Sequence, residues 1–89
     1  MLSLDQILDA TQGKLLQEGK SSRIQHVTID SRQVKKGSLF IAIKGARYDA
    51  HCFLQSAIRQ GARFLLVSHK IKAPTTVTVI LVSDTTQAL

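Results

Sequence analysis

Ala50, Phe53, Leu54, Ala57 and Ile58 recur at i, i+3, i+4, i+7 and i+8, the spacing of one helix face. This predicts an amphipathic helix, with Asp49 placed to cap its start and Gly61 to end it. Two apolar runs without alternation flank it, Leu39-Phe40-Ile41-Ala42-Ile43 and Phe64-Leu65-Leu66-Val67. Alternation would leave one strand face wet, so its absence predicts strands covered on both faces. Strand, helix, strand in that order predicts a parallel pair joined by a right-handed crossover.

Upstream, Ser3 and Gln6 have capping-box spacing ahead of Leu4, Ile7 and Leu8. A helix is expected from about Ser3 to Gln12, with Gly13 as its C-cap. The polar stretch from Gly13 to Ser22 has room for one short strand at Lys14–Leu16. Ile24, Val27 and Ile29 fit a strand ending at Asp30, and Val34-Lys35-Lys36-Gly37 reads as a turn. After a polar connection from His69 to Thr76, a last strand is expected over Val77–Val82. The fold class that follows is α/β, a small mixed and partly parallel sheet with flanking helices.

Eighty-nine residues, 44% of them apolar and one of them proline, fit one small globular domain. We place that domain at residues 1–83. Asp84 with Gln87 looks like the start of another helix over residues 84–89. One turn is not stable alone, so this segment is expected to lead into a longer protein. No apolar run approaches the ~18 residues of a membrane span. The acids of MLSLDQILDA stand where a signal peptide would carry bases, and the single cysteine, Cys52, forms no disulfide framework. A cytoplasmic setting with no membrane partner is expected. The net charge of +6 is scattered, which suits an anionic ligand without identifying it.

Some familiar chemistries fail on spacing. Gly13, Gly19, Lys20 and Ser21 approach a P-loop, but five residues rather than four separate the first glycine from the Gly-Lys pair. They also follow a helix instead of a strand. His26, His51 and His69 lie on separate elements without metal-ligand spacing. Cys52 follows His51 directly, about 100° round a helix, with no third group to orient a nucleophile pair. A small basic nucleic-acid module or a pure interaction domain would be the readings from other classes. The first rests on charge alone. Phe40, Phe53 and Phe64 belong to apolar runs or faces, leaving only Tyr48 as a loop ring for stacking.

Two connections remain, Thr28-Ile29-Asp30-Ser31-Arg32 and Lys44-Gly45-Ala46-Arg47-Tyr48-Asp49. In open α/β sheets, ligands bind beyond the carboxyl ends of parallel strands. A helix N-terminus there offers free N–H groups to an anion, and Gly45 lets a ligand approach the backbone. Arg47 and Lys44 add charge, and Tyr48 adds a flat face for a base.

The same residues carry a family resemblance. Asp30-Ser31-Arg32-Gln33-Val34-Lys35-Lys36-Gly37-Ser38-Leu39-Phe40-Ile41-Ala42-Ile43-Lys44-Gly45 resembles the D-[ST]-R-x-V-x-x-G-x-L-F-x-A-x-x-G signature of Mur ligase N-terminal domains. Arg47-Tyr48-Asp49-Ala50-His51-Cys52-Phe53 is similar to R-[FY]-D-[GA]-H-x-F in the branch that adds D-alanyl-D-alanine to a UDP-muramoyl tripeptide. The branch that adds the third stem-peptide residue shares the first half and is the alternative. The resemblance implies an N-terminal domain that binds the UDP end of a UDP-N-acetylmuramoyl-peptide. Contacts carried over by position are Ile29, Ser31, Ala46, Arg47 and Tyr48. It implies no catalytic residue, metal or cofactor within this stretch. ATP and Mg2+ are expected in a central domain, with a C-terminal domain helping to bind the amine substrate. Asp30 is expected to satisfy loop amides, and Arg32 to pair locally or face phosphates.

Overall fold

A computed structural model describes residues 2–20, 23–42 and 53–83. The elements are β1 (Leu2–Ser3), α1 (Leu4–Thr11), β2 (Lys14–Gln17), β3 (Arg23–Ile24), β4 (His26–Thr28), a 3-10 turn (Ser31–Gln33), β5 (Ser38–Ile41), α2 (Leu54–Gln60), β6 (Phe64–Val67) and β7 (Thr78–Leu81). Five strands form one sheet in the order β2-β7-β6-β5-β4. The pairs β4–β5, β5–β6 and β6–β7 are parallel, and β2 runs antiparallel to β7. A separate two-stranded sheet pairs Leu2 with Ile24 and Ser3 with Arg23.

The described part of the first apolar run, Leu39–Ala42, and the whole of the second, Phe64–Val67, are buried throughout, and they supply the adjacent parallel strands β5 and β6. Side-chain alternation divides them between two cores. Leu39, Ile41, Phe64, Leu66, Ile80 and Val82 meet Leu4, Ile7 and Leu8 of α1. Phe40, Ala42, Leu65, Val67 and Val79 share the opposite core with Leu54 and Ala57 of α2. One helix therefore covers each face of the sheet. The small mixed, partly parallel sheet with flanking helices is the expected α/β class.

The capping box at α1 is complete: Ser3 Oγ accepts from the Gln6 amide, and Gln6 Oε1 accepts from the Ser3 amide. Its C-terminus differs from expectation. Gln12, not Gly13, takes the left-handed conformation, at φ 57. The proposed strand from Ile24 to Asp30 is also corrected, because it breaks at Gln25. Ile24 and Val27 are three positions apart, so a straight strand would aim them at opposite faces. The break lets Ile24 pair with Leu2 and enter the α1-side core, while His26–Thr28 joins β5. Phe53 is another correction, being 43% exposed. It stands at the N-cap of α2, before the periodic face begins at Leu54. Asp49, Ala50 and Ile43 lie outside the described residues, as does the helix start expected at Asp84.

Candidate functional site

The carboxyl ends of β4 and β5 lie side by side, because Thr28 is in register with Phe40. The connection leaving β4 is fixed by its own polar groups. Thr28 Oγ1 accepts from the Asp30 amide at 3.1 Å and donates to the Asp30 carbonyl at 3.2 Å. Asp30 Oδ1 then accepts from the Arg32 amide at 2.9 Å and caps the 3-10 turn. The Arg32 guanidinium closes a two-point pair with the same carboxylate, Nε to Oδ1 at 3.2 Å and Nη2 to Oδ2 at 3.1 Å. Asp30 satisfies a loop amide and Arg32 pairs locally, as expected from the sequence.

That pair holds the Asp30 carboxyl below its ordinary value. The cause is first the side-chain bond from Arg32, then the Arg32 amide, and Coulomb attraction to Arg32 least. Both groups favour the ionised form. A depressed folded value means that this contribution to stability is present above the unfolded carboxylate range and is lost as pH falls through the folded value. Arg32→Gln is expected to raise the Asp30 midpoint toward that of an ordinary aspartate, without restoring it fully, because the residue-32 amide still donates. Carboxyl-detected NMR titration reads this directly. An unchanged midpoint would remove the guanidinium as the leading cause.

Two of the candidate contacts lie on this connection. Ile29 is 53% exposed although apolar, and Val27, two residues earlier on β4, is also exposed. Ser31 is held from outside its own loop, with Gln60 of α2 donating to its carbonyl at 2.6 Å. Its hydroxyl makes no hydrogen bond among the described residues and is available to a ligand. The other three candidates, Ala46, Arg47 and Tyr48, lie outside the described residues, as do Lys44 and Gly45. Thr28 and Gln60 carry structural roles that the sequence reading missed. The Gln60 contact spans 29 positions and leaves no local signal.

The Gly19 amide donates to Thr78 Oγ1 at 2.9 Å and the Lys20 amide to the Thr76 carbonyl at 3.4 Å, so both are occupied by the approach to β7 rather than cradling phosphate. Among the described residues, no three His, Cys, Asp or Glu side chains converge as metal ligands. No helix among them is long and apolar enough to cross a membrane.

Residues 23–89 match the family described as Mur ligase family, catalytic domain. The chain belongs to the Mur ligase family. Within it, the chain is 30% identical over 86 residues to UDP-N-acetylmuramoyl-L-alanyl-D-glutamate–2,6-diaminopimelate ligase of Clostridium perfringens, covering 97% of this chain and 18% of that protein. It is 40% identical over 70 residues to UDP-N-acetylmuramoyl-tripeptide–D-alanyl-D-alanine ligase of Escherichia coli, covering 79% and 15%. A solved D-alanyl-D-alanyl ligase of Acinetobacter baumannii superposes with a TM-score of 0.85 at 32% identity, over 97% of this chain and 19% of that one. The chain thus spans less than a fifth of these Mur ligases, and its fold is that of their N-terminal domain. Its relatives include ligases of more than one step, so similarity alone does not single out the D-alanyl-D-alanine branch.

Proposed function

We propose that this domain binds the UDP end of a UDP-N-acetylmuramoyl-peptide for an ATP-dependent peptidoglycan precursor ligase, the one that adds D-alanyl-D-alanine. The observation that carries the reading is the exit of β4. A connection tied down by Thr28, Asp30, Arg32 and Gln60 offers an exposed apolar Ile29 and an unused Ser31 hydroxyl beside the exit of β5. An apolar side chain beside a polar donor suits a nucleoside, whose base has a greasy face and a polar edge. The segment after β5 is assigned the rest of the site. There, Arg47 is assigned to the diphosphate and Tyr48 to the base, with Gly45 allowing close approach and Ala46 a contact by position. A binding domain of this kind holds no reacting atoms. ATP, Mg2+ and the ligation step belong to a central domain of a cytoplasmic enzyme, and the amine substrate to a C-terminal domain.

Arg47→Ala is expected to weaken binding of UDP-muramoyl tripeptide by about 1–3 kcal/mol, the size of a charge-assisted hydrogen bond to phosphate. Isothermal titration checks it, and equal affinities for both proteins would remove Arg47 from the diphosphate. The branch is tested in a ligase carrying this domain. ADP release with UDP-muramoyl tripeptide plus D-alanyl-D-alanine is expected. Release instead with UDP-muramoyl dipeptide plus lysine or diaminopimelate would assign the alternative step.

A further inference from the structure

The amino ends of the parallel strands carry a feature that the proposed uridine site does not use. A concavity of about 450 Å³ is lined by Arg23, Gln25, Lys36, Gly37 and Arg63. Gln25 immediately precedes β4, Gly37 precedes β5, and Arg63 precedes β6. Ile29 and Ser31 follow the far end of β4. Gln25 and Ile29 flank the three residues of β4, four positions and roughly 13 Å apart along it, so the two places lie at opposite ends of the sheet.

Three of the five lining residues are cations and none is acidic or apolar. Among the described residues Arg32 forms an ion pair with Asp30, and no described carboxylate lies within salt-bridge distance of Arg23, Lys36 or Arg63. The frame beneath them is fixed by backbone bonds. Gly37 N donates to the Gly61 carbonyl at 2.9 Å, Gln25 N to the Gly37 carbonyl at 3.3 Å, and Arg63 N to the Ser38 carbonyl at 3.0 Å. Arg63 Nη1 is tied to the Ala62 carbonyl at 3.1 Å, which orients the guanidinium and leaves its other nitrogens for a ligand. Like charges gathered without a counterion repel one another, and a multiply charged anion seated among them relieves that repulsion.

We infer that this concavity is a second anion site, taking a small phosphate oligoanion of the pyrophosphate class. A peptide partner would want an aromatic or aliphatic anchor pocket at the centre of its contact. The lining offers none. Two guanidinium forks and an ammonium instead match the several oxygens of linked phosphates. The inference does not depend on the uridine-binding role, because the two sites share no residue.

The test is an NMR titration of the ¹⁵N-labelled chain with sodium pyrophosphate at low salt. Amides of Gln25, Lys36, Gly37 and Arg63 are expected to shift together, while those of Ile29 and Ser31 stay still. In Arg23→Gln/Lys36→Gln, affinity is expected to fall at least tenfold, since each lost charge-assisted bond is worth about a factor of ten. Both side chains are exposed, so the fold is retained, which unchanged core amides verify. Arg63→Gln is expected to show the same loss. Three results would overturn the inference: shifts confined to the β4 exit, pyrophosphate affinity indifferent to these substitutions, or tighter binding of an oligo-aspartate peptide by the same residues.

Discussion

Replacing Phe40 with alanine is expected to destabilise the domain by about 3–5 kcal/mol, the usual cost of emptying a buried phenylalanine site. Phe40 is fully buried on β5, which has β4 on one side and β6 on the other. Its ring shares the α2-side core with Val34, Leu54, Ala57 and Leu65. The sheet backbone is pinned from both neighbours, so collapse around the missing ring is restricted and most of the cavity cost remains. A domain of this length has a total stability of about 4–13 kcal/mol. One substitution thus removes roughly a quarter of it or more. Urea denaturation should show a lower midpoint with an unchanged slope, because the area exposed on unfolding hardly changes. Ile29→Ala, at a half-exposed rim position, is the control and should stay within about 0.5 kcal/mol of the parent. A Phe40→Ala loss below about 1 kcal/mol would contradict the packing described for this core.

The same position shows why the sheet was legible. An unbroken apolar run is the mark of a strand with no wet face, and β5 and β6 each lie between two helical layers. The α1 start was equally readable, because a capping box is local and both of its bonds form within three residues. What failed to show was set by partners distant in the chain. The break at Gln25 exists because Ile24 pairs with Leu2 while His26 pairs with Ser38. Nothing near Gln25 announces either partner. Phe53 fitted the helical spacing but precedes the helix, and spacing alone cannot tell a first-turn residue from one on the buried face.

For the candidate site, the local part was again the readable part. Asp30 capping its own loop and Arg32 folding back on it are contacts two residues long. The anchor that ties this loop to the body of the domain, Gln60 to the Ser31 carbonyl, is not local and was missed. The basic concavity was invisible for the same reason. Arg23, Lys36 and Arg63 are widely separated in sequence, and only the parallel order of β4, β5 and β6 brings their neighbourhoods to one end of the sheet. A scattered +6 charge along the chain gave no sign that three of its cations share a surface.

Gly61→Ala is the second large effect expected, at about 2–6 kcal/mol, from two causes that add. Gly61 has φ 120, where an L side chain is strained by about 1–3 kcal/mol. A Cβ there would also lie 2.8 Å from Lys36 Cα and 3.1 Å from Lys36 N. Those are backbone atoms, so relief requires moving the turn before β5, with an overpacking cost of about 1–3 kcal/mol. That turn is held to Gly61 itself, whose carbonyl accepts from the Gly37 amide at 2.9 Å. Gly37→Ala separates the two causes. Gly37 also has positive φ, at 84, but its Cβ would meet only Gln25 side-chain atoms, the nearer at 3.0 Å. A flexible side chain can yield, so only the conformational cost of about 1–2 kcal/mol is expected. A domain of this size loses about 4–8 °C of melting temperature per kcal/mol, so Gly61→Ala should melt well below Gly37→Ala. If the two variants melt together, the close approach of Gly61 to Lys36 does not constrain the fold, and the turn that frames the basic concavity is looser than its hydrogen bonds imply.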